Sequence, residues 1–132
     1  MEEFNDGILS QVENLNPGDY AIYCIEDDRL IMMAFSNGLP GLSGLTKDEY
    51  VELTKENAVA IVLDADRKQV GETIGEIIRN QDKPAAFSVT YRIFHKQFGF
   101  VWVRAKAKII GSRGGNPVVI VSFATMAAEA HE

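Results

Sequence analysis

The segment FSVTYRIFHKQFGFVWVRAKAKII, residues 87–110, leaves its backbone little choice. Phe87, Val89, Tyr91 and Ile93 alternate with Ser88, Thr90 and Arg92. After Gly99 the alternation resumes, with Val101, Val103, Ala105, Ala107 and Ile109 set against Arg104, Lys106 and Lys108. A period of two is the strand signature, and two such runs about a glycine-containing break predict a β-hairpin. The polar face of this hairpin also carries Phe94, Phe100 and Trp102. Three large aromatics on a face that alternation assigns to water call for a cover or a partner.

A single domain with one core suits 132 residues. No run of about 18 apolar residues is present, so no transmembrane helix is expected. The polar, acidic opening MEEFNDGILSQ does not read as a secretory signal. The single Cys24 has no partner for an internal disulfide, in keeping with a reducing, cytoplasmic setting. A net charge of −6 argues against nucleic acid as the main partner. Arg92, Lys96, Arg104, Lys106, Lys108 and Arg113 nonetheless fall in a stretch free of Asp and Glu, between Pro84 and Ala128. Pairing of this basic face with an acidic segment of the same chain is the expected outcome.

Phe4, Ile8, Val12 and Leu15 recur at helical spacing and predict an amphipathic N-terminal helix over 1–16, closed by NPGD. YAIYCI and RLIMMAF read as two strands joined by EDDR, apolar on both faces and so in need of cover on each side. SNGLPGLSGL holds one helical turn at most. In LTKDEYVEL, Thr46 and Glu49 form a capping box, with Leu45 and Tyr50 spaced as a hydrophobic staple. ENAVAIVL fits either a helical turn or an extended piece. DADRKQVGETIGEIIRNQ is the clearest helix, with Asp64 and Asp66 as caps and Val70, Ile74, Ile77 and Ile78 as its buried stripe. Gly71 and Gly75 either let this helix approach a sheet or ligand closely or are simply tolerated. After the hairpin, SRGGNP is a turn and VVIVSFATM a last strand. The chain is thus α+β: five antiparallel strands with helices across one face.

Catalytic material is sparse. His95 and His131 lack partners for general-base work, and no metal-ligand spacing is present. Cys24 sits mid-strand, where a thiol behaves as a small hydrophobe. The acidic pairs of EDDR and DADR are accounted for by a turn and a helix cap.

The residues SNGLPGLSGLTKDEY, 36–50, resemble a PAS domain, the sensory-box module of bacterial signalling proteins. They follow without a gap the run N-x-[AG]-[FL]-x-x-[LI]-[ST]-G-[YF]-[ST]-x-[DE]-E-[LY]. Gly38, Leu39, Leu42, Ser43, Gly44, Thr46, Asp48, Glu49 and Tyr50 hold the family types; Ser36 and Leu45 depart from it. LDADRKQV resembles H-P-D-D-R-x-x-V through Asp66, Arg67 and Val70. FGFVWVRAKAKII resembles the D-G-x-x-R-W-V segment, with Phe98 in place of Asp and Trp102 one residue early. The resemblance spans nearly the whole chain.

It implies a PAS fold over 1–132: an N-terminal capping helix at 1–16, a core at 18–126 with sheet order 2-1-5-4-3 and one longer helix over the concave face, and the start of a linker at 127–132. The function it implies is a sensory or dimerising module of a bacterial histidine kinase or GGDEF-type diguanylate cyclase, not itself an enzyme, acting through a C-terminal effector. The alternatives are a small pocket enzyme of isomerase or cyclase type, or a ligand-free structural dimerisation domain. A pocket between the long helix and the sheet is expected to use Tyr23, Met33, Gly71, Gly75, Ile78, Tyr91 and Val103. A homodimer interface is expected to use Phe4, Ile8, Val12, Phe94, Phe100 and Trp102, with Glu2, Glu3, Asp6 and Glu13 meeting Arg104, Lys106 and Lys108. No cofactor is implied: Cys24 is not in a flavin-type helix motif, and residues 64–81 carry no haem-type His. Neither nucleic acid nor membrane is an expected partner. If Phe94 pairs with Phe100, Arg92 falls opposite Trp102 in a cation–π arrangement.

Overall fold

The structure is a computed structural model that describes residues 3–7, 10, 18–27, 29–82 and 86–126. Five antiparallel strands form one sheet: β1 (Asp19–Glu26), β2 (Arg29–Phe35), β3 (Ala86–His95), β4 (Gly99–Arg113) and β5 (Asn116–Thr125). Their spatial order is β2-β1-β5-β4-β3, as the family resemblance implies. The crossover from β2 to β3 lies over one face. It contains a 3-10 turn at Leu39–Ser43, helix α1 (Lys47–Thr54), a second 3-10 turn at Ala58–Ile61, and helix α2 (Asp64–Arg79). The ENAVAIVL segment is therefore helical first and extended last, because Val62 bridges to Ile93 of β3.

Alternation divides the sheet into two faces. Ala21, Tyr23, Ile25, Tyr91, Ile93, Val103, Val119 and Val121 point to the inner face, where Val70, Ile74 and Ile77 of α2 complete the core. Tyr20, Ile22, Cys24, Val118 and Ile120 are buried on the outer face with Phe4, Met33, Ala34 and Ile110 against them. Both faces of β1 are covered, as its unbroken apolar sequence requires.

The hairpin register agrees with the sequence residue for residue. Phe94 faces Phe100, and Arg92 faces Trp102. The β4–β5 turn is made by Gly114 and Gly115, with φ of 57° and 85°. Two consecutive left-handed residues suit the twist of a tight hairpin, and a side chain at either would strain it.

Two expectations need correction here. Ile8, Val12 and Leu15 of the N-terminal helix lie outside the described residues. Phe4 is described, but it does not reach the aromatics of the hairpin. Its backbone N–H donates to Ser112 O at 2.8 Å, and Glu3 bridges Ser112 in parallel. This holds Phe4 at the opposite end of β4 from Phe100. Glu3 likewise accepts from Ser112 Oγ at 3.3 Å instead of meeting Arg104, Lys106 or Lys108. Met33 was expected in the pocket, but β2 turns it to the outer face. A bulge opposite Ile22 and Tyr23 inserts one residue into β2. Met33 and Ala34 consequently both pack on the outer cluster.

The capping box of α1 forms as read. Thr46 Oγ1 accepts from Glu49 N at 3.2 Å, and Glu49 Oε1 accepts from Thr46 N at 3.0 Å. The Thr46 N–H, then the ammonium of Lys96 at 2.9 Å, hold the Glu49 carboxyl down from its usual 4.5 to about 2. Thr46→Ala is expected to cost about 0.5–2 kcal/mol of folding stability in urea denaturation at neutral pH. Because the folded carboxyl titrates below the unfolded one, Glu49 stabilises the fold above about pH 4.5 and loses that effect as the pH falls toward 2. Glu49→Gln should flatten this acid limb, and an unchanged limb would show that Glu49 is not coupled to folding.

Candidate functional site

A cavity lies between α2 and the inner sheet face. Val70, Ile74 and Ile77, the stripe of α2 read from the sequence, form its roof. Tyr23, Tyr91 and Ala105 form part of its floor, and Ser43 and Tyr50 part of its wall. Its volume is about 60 Å³. None of its lining side chains is ionisable at neutral pH, apart from phenols held protonated. Burial, reinforced by the neighbouring phenols, pushes the Tyr23 hydroxyl well up; burial pushes Tyr50 up to about 12 and Tyr91 higher still. These groups can donate and accept hydrogen bonds but cannot serve as bases near neutral pH.

Ser43 differs from the others. It is fully buried, and among the described residues its Oγ is the one buried side-chain polar atom with no hydrogen-bond partner. Its backbone is fixed from two sides. Ser43 O accepts from Lys96 N at 2.9 Å, and Gly44, at φ 68°, lies against the His95 ring. A Cβ at Gly44 would come within 2.9 Å of that ring, and the left-handed backbone independently favours glycine. His95 is thereby structural. It is buried, and its Nδ1 accepts from the N–H groups of Gln97 and Phe98, both at 3.1 Å.

Of the residues expected to line the pocket, Tyr23 and Tyr91 do so. Ile78 and Val103 belong to the inner core beside the cavity. Met33 is on the outer face, for the reason given. Gly71 and Gly75 do not provide a close approach. Each follows a core residue, Val70 or Ile74, by one position, which turns it about 100° away from the sheet. A Cβ at Gly71 would meet nothing within 4 Å, and both glycines line a groove on the solvent side with Lys68, Glu72, Glu76 and Arg79. Ser43 and Tyr50 were read only as family and capping positions. Tyr50 is the one aromatic of a largely charged helix, and Ser43 a small polar residue among Leu39, Pro40 and Leu42.

The second element of the site is the outer face of the hairpin. Phe94 and Phe100 are 38% and 42% exposed, so this patch remains open among the described residues. Arg92 lies over it, its guanidinium carbon 5.5 Å from the Phe100 centroid and 5.3 Å from that of Trp102. Asp66 holds the other side of the same guanidinium, through Nε at 3.0 Å and Nη2 at 2.9 Å, and also accepts from Arg92 N at 2.7 Å. The sequence reading made Asp66 a helix cap. The N-cap of α2 is instead Leu63, without a side-chain bond, and Asp66 joins α2 to β3. The expected internal pairing of the basic segment is thus realised by Arg92 with Asp66 and by Lys96 with Glu49.

Arg92 keeps the Asp66 carboxyl below its usual 3.8. The pair is only partly exposed, 28% for the Arg side chain and 12% for the Asp. Asp66→Ala should destabilise the fold by about 1.5–3 kcal/mol, the range for hydrogen bonds to charged groups. It should also alter Trp102 fluorescence as the guanidinium is released. The loss should shrink below the unfolded carboxyl pKa, where the parent also loses the charge. Equal denaturation midpoints for the two proteins would show the clamp to be energetically neutral.

Residues 32–124 match the PAS fold family, while no curated protein is recognisably similar in sequence. Solved structures share the architecture at low identity. The Rhodobacter sphaeroides LOV protein superposes with a TM-score of 0.68 at 8% identity, over 97% of this chain and 72% of that one. The Drosophila melanogaster Cycle PAS-B domain, with bound glycerol, gives 0.65 at 8% identity, over 82% and 99%. A sensory box histidine kinase/response regulator from Burkholderia thailandensis gives 0.62 at 10%, over 93% and 87%. With its sheet order, its crossover helices and a match across most of its length, this chain belongs to the PAS fold family.

Proposed function

We propose that this chain is the sensory module of a bacterial signalling protein, with the cavity under α2 as its input and the outer face of the hairpin as its output. The observation that carries this reading is the Asp66–Arg92 clamp. It joins the N-terminal turn of the cavity's roof helix to the aromatic patch on the opposite side of the sheet. A shift of α2 caused by filling the cavity moves Asp66, and Asp66 holds the guanidinium that lies over Phe100 and Trp102.

The output is a homodimer contact through Phe94, Phe100 and Trp102. The exposed rings of Phe94 and Phe100, with the partly buried Trp102 beside them, form an apolar patch of the kind that proteins cover with a partner. The chain leaves β5 beside this patch, where Met126 N donates to Trp102 O at 3.1 Å. A rearrangement at Trp102 is therefore passed directly to whatever follows. A histidine kinase or GGDEF-type cyclase effector in the cytoplasm suits this exit, and the likeness to a sensory box histidine kinase supports the former. The module does no chemistry of its own, since the cavity offers phenols and the hydroxyls of Ser43 and Thr73 but no nucleophile–base pair. It takes neither flavin nor haem. The thiol of Cys24 is buried on the far side of the sheet, α2 carries no His, and about 60 Å³ is a small fraction of a cofactor's volume.

Phe100→Lys should convert a dimeric parent to monomer in sedimentation equilibrium. Ala105→Leu, which fills the cavity from the sheet, should shift the same equilibrium and change amide exchange in β3 and β4. Ala107→Val serves if Ala105→Leu folds poorly. A parent that is monomeric throughout, or association and exchange that ignore the filled cavity, would overturn the link between the two faces.

A further inference from the structure

The chemistry of the cavity lining restricts what can enter it. Every wall residue is neutral. An ionised carboxylate or ammonium would be buried without a counter-ion, which is strongly unfavourable. Ser43 Oγ, in contrast, is left without a hydrogen-bond partner in a fully buried position. Buried hydroxyls in folded proteins are nearly always satisfied. The Ser43 backbone is fixed by Lys96 N and by the turn at Gly44, so its hydroxyl cannot leave the wall without breaking the contact between the 3-10 turn and the hairpin. The cavity volume sets the size of an occupant. A cavity of about 150 Å³ accommodates the six carbons of benzene. About 60 Å³ therefore suits some two to four non-hydrogen atoms before any movement of α2.

We infer that the cavity takes a small neutral molecule, an aliphatic chain ending in one hydroxyl or carbonyl, whose polar atom completes the hydrogen bonding of Ser43 Oγ while its chain lies against Val70, Ile74 and Ile77. This rests on the reading of the cavity as the input of a sensor, and it adds the ligand class and the anchoring residue. It also gives the ligand a second route to the output. Ser43 O is bonded to Lys96 at the tip of the hairpin, next to the strand ends that carry Phe94 and Phe100.

The test is methyl-resolved NMR of the whole chain, titrated separately with 1-propanol, sodium acetate and xenon, following the methyl groups of Ile61, Ile74 and Val121. Saturable shifts with 1-propanol and none with acetate, which has the same number of non-hydrogen atoms, are expected. Ser43→Ala should weaken 1-propanol at least tenfold, leave xenon binding as in the parent, and unfold no more readily than the parent. Equal 1-propanol affinity in Ser43→Ala overturns the anchor. Acetate binding as tightly as 1-propanol, or a slowly exchanging water on Ser43 that 1-propanol does not displace, overturns the ligand class while leaving the cavity as an input. Failure of all three probes, xenon included, to move these methyls overturns the inference together with the sensory reading beneath it.

Discussion

One carboxylate holds the two halves of this protein together. Asp66 accepts from the backbone N–H and from two guanidinium nitrogens of Arg92, so a single side chain fixes α2 to β3 in position and in rotation. Leu63 N bonds Arg92 O, and Gln69 Nε2 bonds Thr90 O, along the same strand. With the N-terminal turn so fixed, the remaining turns of α2 must bring Val70, Ile74 and Ile77 over the sheet at helical spacing. The cavity exists because this roof is suspended from its N-terminal end, while its floor is largely built of small and β-branched residues such as Ala105, Ala107, Val119 and Val121.

The same bond gives Arg92 its second role. An arginine on the outer face of a sheet, with a long flexible stem, would ordinarily sample water. Held by Asp66, it is confined above Phe100 and Trp102, where it is attracted to both rings. A guanidinium that would otherwise lose rotamer freedom for a weak ring contact has already been ordered by the carboxylate. The two interactions share one entropic cost, which is why a partly exposed cation–π pair can persist here.

The features legible in the sequence were those specified by neighbours along the chain. The hairpin register followed from alternation about Gly99, and with it the pairing of Arg92 and Trp102. The capping box followed from a three-residue spacing, and the inward stripe of α2 from a period of 3.6. What escaped depended on partners distant in sequence or on a slip in register. Met33 changed faces because a bulge in β2 broke the alternation, and nothing in RLIMMAF marks where the extra residue falls. Gly71 and Gly75 suggested proximity to the sheet, but a glycine on a helix is equally at home on its solvent side, where Gly71 meets nothing and Gly75 only the Arg79 side chain. Asp66 carries the composition of a cap, and only the fold brings it from α2 to an arginine on β3. Ser43 lay in plain view inside a family motif. Its burial could not be read until Lys96 was bonded to its carbonyl and His95 set against the neighbouring Gly44.

The crossover between β2 and β3 also bears on how copies of this protein can and cannot meet. The sheet has two free margins, β2 and β3, and unpaired N–H groups at such margins readily recruit strands from other chains. At the first, Asn57 Oδ1 accepts from Leu30 N at 3.2 Å. At the second, Asp66 occupies Arg92 N. One continuous segment thus stoppers the sheet at both ends, and the bulge at Met33 further spoils the first as a template. Growth by adding strand to strand, the route to fibres, is thereby hindered at Leu30 and at Arg92. What remains for a partner is the broad surfaces of the sheet rather than its margins.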